Sequence, residues 1–328
     1  MLSTYRSELM GWAILWIMML HFGFHSVTPL GFVSQYGFAG VEIFLFVSGL
    51  GIYCSLDRDS RLPSFYRKRA LRIFPAYCFL CIFASLLVYG DDIMTWLYRC
   101  TTIGFWTGGT IYFGWYVPSI VVLYLVAPLL KKAIDMRLHA VMAVGVVAIL
   151  VVSYFLAKHQ TLNREHFFFV YRIPAFIFGM YCAMFIKHGS AAVPDADGSA
   201  AVHDANGRGD ILYLVLLLAG IPLFAVFYPL HHTVYEFKYY SLLYLLPLFM
   251  YLFCLLTRLL GFARPLLRAV GTASLEIYLI QNIFFSAIID GLIVIPERWH
   301  DVCSVGLMTL CSLAGIIIHG TIQKIRTR

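Results

Sequence analysis

Charge is scarce in this 328-residue chain: Asp, Glu, Lys and Arg together make up 12%, about half the share usual in a soluble domain. Hydrophobic residues make up 61%. So few charges could not keep that much apolar surface in water, so the chain is read as an integral membrane protein. A glycine-rich nucleotide loop, carboxylates paired at glycosidase spacing and room for a further soluble domain are also lacking. Any acceptor must then be met by membrane spans and short loops. The expectation is one membrane domain over residues 1–328.

Cysteine is present but builds no framework. Most of the eight Cys fall within apolar stretches, leaving only Cys100 and Cys303 near outer loops. Cys78 and Cys81 form a C-x-x-C on an apolar helix, without the second pair or nearby His that a zinc site needs. They are read as packing residues. No metal and no tightly bound cofactor are expected.

Long apolar runs are what the chain does have. About ten of them, each near the length that crosses a hydrocarbon core of roughly 30 Å as a helix, fall near 10–28, 37–56, 72–89, 113–131, 137–157, 168–187, 211–230, 240–257, 270–290 and 302–322. The first is too long for a signal-peptide core, and no small-residue cleavage pattern follows it. An all-α polytopic bundle of about ten transmembrane helices is therefore predicted. Lys and Arg concentrate at alternate ends of these runs, for example Arg6, Arg58 to Arg72, Lys131, Lys132, Arg264, Arg268 and Lys324. By the positive-inside rule this puts both termini in the cytoplasm. The net charge of +7 then reports topology, and no nucleic-acid partner is implied. Residues 188–210, rich in Gly, Ala and Asp, read as a flexible cytoplasmic linker between the sixth and seventh spans.

Polar residues inside spans are costly in lipid and are functional hypotheses for that reason. At about 1.5 Å per residue, His21 and His25 lie roughly 10 and 5 Å below the outer end of the first span. Glu42 and Arg172 lie roughly 8 and 6 Å below the outer ends of theirs. Mutual satisfaction is cheaper than exposure to lipid. The spacing of His21 and His25 predicts one shared helical face. That face would also suit two metal ligands, but no third ligand accompanies them. A neutral imidazole can take a proton from a hydroxyl, which makes His21 a general-base candidate.

At the inner side, YRKRALRIFPAY sets Arg69 and Arg72 at i, i+3 on one face, with Arg67 and Lys68 beside them. Ordinary membrane anchoring accounts for any single one of these cations. Two guanidinium forks on one face suit the phosphates of a cytoplasmic ligand. A transporter or exporter of a surface-glycan precursor or acyl donor, with His21, Glu42 and Arg172 lining its pathway, is the alternative from another class. A structural partner in a polysaccharide-assembly complex is a third.

In order along the chain stand GWAILWIMMLH, GFAGVEIFLFVSG, FYRKRALRIFPAY, WYVPSIVVLYLVAPLL, YRIPAFIFGM and SLEIYLIQN. With these pieces the sequence resembles the acyltransferase-3 family of integral membrane acyltransferases across nearly its whole length. The resemblance implies an O-acyltransferase of the bacterial cytoplasmic membrane. It would move an acyl group, commonly acetyl, from cytoplasmic acyl-CoA to a hydroxyl of a cell-surface or lipid-linked glycan. His21 would be the essential histidine, Arg69 and Arg72 the R-x-x-R pair, and Arg172 the arginine of the sixth-span motif. Glu42 would orient the His21 imidazole as the acid does in a triad. Ser48, Tyr116 and Asn282 are candidates for stabilising the oxyanion, and an acyl-histidine intermediate is a second route. Trp115 and Tyr116 are candidates for stacking on a sugar ring. The chain departs from the family pattern in three places. Met10 stands where a basic residue is common, Glu42 where Asp is commoner, and Gln281 where many relatives have His. The acyl group, the acceptor and the oligomeric state are left open.

Overall fold

The computed structural model describes residues 4–25, 28–86, 90–107, 114–158, 168–189, 192–194, 200–202, 218–226 and 237–327. Among them the chain is helical throughout, apart from a three-residue antiparallel pair, Ala192–Pro194 with Ala200–Val202. The helices are α1 (Arg6–Phe22), α2 (Pro29–Ser34), α3 (Ala39–Arg58), α4 (Leu62–Ala84), α5 (Ile93–Cys100), α6 (Ile103–Trp106), α7 (Tyr116–Asp135), α8 (His139–Lys158) and α9 (Ile173–Gly189). They continue with α10 (218–226), α11 (Phe237–Leu259), α12 (Arg264–Thr272), α13 (Ser274–Ile289) and α14 (His300–Thr327). The remainder of the expected 188–210 linker lies outside the described residues, as do the ends of the expected seventh span.

Among the described residues, each apolar stretch read from the sequence overlaps one of these helices, but fewer of them are long and apolar enough to cross a membrane. Four qualify: Ala39–Arg58, Tyr116–Asp135, Phe168–Ile186 and Glu297–Arg326. A fifth is formed if Leu243–Leu259 and Gly261–Thr272, bent by 97° at their junction, count as one span. Helix α4 is long enough at 23 residues but carries Arg67, Lys68, Arg69 and Arg72, whereas α1 falls short through length. Gly23, at φ 72°, stops α1 after 17 residues, and its N–H closes the last turn onto the Met19 carbonyl at 3.0 Å. Glycine takes this left-handed conformation without a Cβ clash. The first span therefore ends several residues earlier than expected.

Local chemistry sets the other ends. Thr28 caps α2 and Asp92 caps α5, each accepting a backbone N–H from three residues on, while prolines occupy the first turns of α2, α4 and α12. Between α3 and α4, hydrogen bonds from Arg61 hold the Asp59 carboxyl well below its usual range.

Helix α3 is central: 72% of its spanning window is buried, against 22% for α14. It packs against α1, α7, α9 and α11. The α3–α9 crossing is close because Gly49 faces the Phe176 carbonyl and Gly179 faces the Phe46 carbonyl, where any Cβ would collide with backbone. Small residues at such crossings let helix backbones approach in the absence of a hydrophobic drive.

Candidate active site

One end of the bundle gathers arginines. Arg72 Nη1 donates to Glu276 Oε1 at 3.1 Å, and Nη2 donates to the Thr272 carbonyl at 2.9 Å. His319 Nδ1 lies 3.0 Å from the same Glu276 oxygen. Glu276 is 1% exposed, so this carboxylate holds Arg72 in place from inside the protein. One turn earlier, Arg69 lies over the rings of Phe65 and Tyr124, at 5.4 and 5.7 Å, and its Nε is buried without a hydrogen-bond partner. The two R-x-x-R guanidinium groups thus share a helix face, as expected. Arg67 is exposed, and exposed Lys68 pairs with Asp59 at 3.4 Å.

The opposite end holds the other polar groups, in pairings only partly anticipated. Glu42 Oε1 accepts from Arg172 Nε at 3.0 Å, with both side chains almost fully buried. The Arg172 guanidinium also stacks over Trp115 at 4.6 Å, so that Trp115 face is taken by a cation and is closed to a sugar ring. The expected satisfaction of Glu42 by Arg172 is present. A hydrogen bond between His21 and Glu42 is not, since α3 turns the carboxylate towards Arg172, just before α9. His21 instead stacks on Phe285, with ring centroids 4.6 Å apart and planes 17° apart. It lies beside Gln281, and its Nδ1 is buried without a partner.

His25 does not share a helical face with His21, because α1 has ended at Phe22. Its backbone N–H and its Nδ1 both meet Asp301 Oδ1, at 2.9 and 2.7 Å. His300 Nδ1 is 3.6 Å from the same oxygen. These three residues offer ligand atoms within 4.8 Å of one another. The sequence reading does not anticipate that His300 and Asp301 join His25 in this way.

A cavity of about 70 Å³ lies between the two ends, beside Arg72. It is lined by Arg72 on one side and by Ser48, Ile17, Tyr116 and Tyr278 along its length. Ile17 and Tyr278 are each one helical turn short of His21 and Asn282, so the cavity points from the arginines towards the histidine. Tyr116 and Tyr278 pack against each other with ring centroids 5.1 Å apart. The Asn282 amide donates to the Tyr278 carbonyl at 2.7 Å. A carbon at Gly114, just before α7, would sit 3.9 Å from Asn282 Oδ1.

Arg72 therefore stands at one side of the cavity, apolar side chains along it, and His21 one turn beyond Ile17. Residues 9–319 match the acyltransferase-3 family model, described as an acyltransferase domain. The chain belongs to the acyltransferase-3 family. No curated protein and no solved structure matches it. Membership, with the apolar helices, makes it a multi-pass membrane acyltransferase.

Within this acyltransferase, the sequence reading passes over Glu276 and His319 and notes Gln281 only as a departure from the family pattern. Glu276 carries the same signal as Glu42, an acid inside an apolar helix, and lies in plain view in SLEIYLIQN. Gln281 is fully buried, and neither its Oε1 nor its Nε2 has a hydrogen-bond partner. His319 carries no local signal, since it meets Arg72 across 247 positions.

Proposed function

We propose that this protein is an acyl-CoA-dependent O-acyltransferase, most simply an acetyltransferase, that modifies a hydroxyl of a lipid-linked or cell-surface glycan. The observation that carries the reading is the cavity with Arg72 at one end and the His21 turn of α1 just beyond the other. The arginine end faces the cytoplasm, both termini lie on that side, and about ten helices complete the bundle, as the distribution of Lys and Arg supports. Donor phosphates bind at Arg69 and Arg72, with Arg67 and Lys68 at the exposed margin. The pantetheine arm then enters the cavity and brings its thioester towards the other end.

There His21 accepts the proton of the acceptor hydroxyl, whose oxygen forms the new ester as the carbon–sulfur bond breaks and CoA leaves as the thiol. Stacking on Phe285 fixes the imidazole plane. Gln281, Ser48, Tyr116 and Asn282 are the polar groups placed to meet the tetrahedral oxyanion. Glu42 acts on this site through Arg172, closing the outer end of the α3–α9 pair beside Trp115.

The test is transfer of radiolabelled acetyl from acetyl-CoA to a glycolipid extract by the purified protein in nanodiscs. His21→Ala is expected to lower transfer by about 10²-fold or more, the usual range for loss of a general base. Arg69→Ala and Arg72→Ala are expected chiefly to raise the KM for acetyl-CoA. Wild-type transfer by His21→Ala would remove the assignment. Absence of transfer by a folded wild-type protein that moves a solute into liposomes would replace the enzyme with a transporter.

A further inference from the structure

The acids at the arginine end are committed. Glu8 pairs with Arg264 and Arg268, at 2.8 and 3.4 Å. Glu276 holds Arg72 and His319. Asp57 meets Lys131, and Asp59 meets Arg61 and Lys68. Arg6, the first residue of α1, has no carboxylate partner among the described residues, and its electrostatic neighbours are Tyr124, Arg69, Cys54 and Arg72. Arg6 thus has two guanidinium neighbours, of which only Arg72 is paired with a carboxylate among the described residues.

The backbone makes room for this convergence. Arg6 lies against α3 at Gly51, where a Cβ would stand 2.6 Å from Arg6 Nη2 and 3.1 Å from its Cζ. Any larger residue at position 51 would push the guanidinium away. Met10, one turn beyond Arg6 on the same face of α1, lines the cavity, as do Tyr124 and Arg72. Tyr124 also lies under Arg69. Arg72 thus lines the cavity itself, while Arg6 and Arg69 stand next to residues that line it, Arg6 one turn before Met10 and Arg69 over Tyr124. Two uncompensated cations repel each other at such range, and an anion with more than one phosphate relieves that repulsion.

We infer that Arg6 is a third phosphate-binding arginine, completing with Arg69 and Arg72 a seat for the polyphosphate of the donor nucleotide. This rests on the acyl-CoA reading above. Arg6 would supply the fork from α1, one turn below the position that Met10 fills with an apolar side chain. Because Arg72 is already held by Glu276, Arg6 and Arg69 contribute most of the free positive charge.

The experiment is calorimetric binding of CoA and of S-acetylpantetheine, which lacks the nucleotide and its phosphates, to the full protein in nanodiscs. Arg6→Ala is expected to weaken CoA binding by about tenfold or more, as loss of a charged hydrogen bond does, and to leave S-acetylpantetheine unaffected. Arg6→Lys, which keeps charge without the fork, falls between. Gly51→Ala displaces Arg6 without removing its charge and weakens CoA in the same selective way. If wild type binds CoA, Arg69→Ala weakens it and Arg6→Ala does not, the inference fails while the donor reading stands. Equal weakening of both ligands by Arg6→Ala would assign Arg6 a role in the fold and also overturn the inference. A folded wild type that binds no CoA would take down the donor reading itself.

Discussion

Glu42 and Arg172 face each other across 130 positions of sequence, and neither can return to water without opening the α3–α9 contact. Removing one partner strands the other charge in a dry environment. Arg172→Met is therefore expected to destabilise the protein by about 3–5 kcal/mol, and Glu42→Met with Arg172→Met together by less than the two single changes summed. Thermal melting of all four proteins in one detergent measures this; additive losses would mean that the pair is not coupled. The cost of a charge in lipid makes this partnership legible in the sequence alone. The orientation of Glu42 is not legible there, because rotating α3 by one residue position would swing the carboxylate about 100°. The link to His21 fails on that rotation. Arg6 stands out in the sequence only as one positive charge among many at the inner side, since nothing local reveals that Gly51 leaves space for it.

At the level of helices, hydropathy locates the segments well and their ends less well. The run through His25 remains apolar enough to suggest continued helix, but backbone conformation at Gly23 decides otherwise, and hydropathy does not register φ. Helix contacts are also hidden: Gly49 and Gly179 look like any other glycines until their opposing carbonyls are seen. Gly179→Leu is expected to push α9 off α3 and cost about 1–3 kcal/mol or more. Gly306→Ala, on α14 with nothing within 4 Å, is expected to be neutral or slightly stabilising, since alanine favours helix. Chemical-denaturation midpoints of the two variants check this; similar midpoints would contradict the close α3–α9 crossing.

For the molecule as a whole, the separation of its two polar ends implies a fixed orientation in the membrane. In a version lacking the native cysteines, His25→Cys is expected to react with an impermeant maleimide added to intact cells. Arg268→Cys should react only after the membrane is opened. Labelling of Arg268→Cys from outside would reverse the orientation and put the phosphate seat out of reach of cytoplasmic CoA. Charge distribution is the ground on which the sequence predicts this orientation. The cavity beside Arg72 is not readable in this way, because its lining comes from α1, α3, α4, α7 and α13, and sequence carries no direct record of how five helices meet.

The early stop of α1 has a consequence for access to His21. A helix of 17 residues is about 26 Å long, against a hydrocarbon core of roughly 30 Å. Ser7 to Phe22 are buried or half-buried throughout, so neighbouring helices and not lipid headgroups make up the shortfall. On the reading proposed above, an acceptor hydroxyl would therefore reach His21 through space lined by protein.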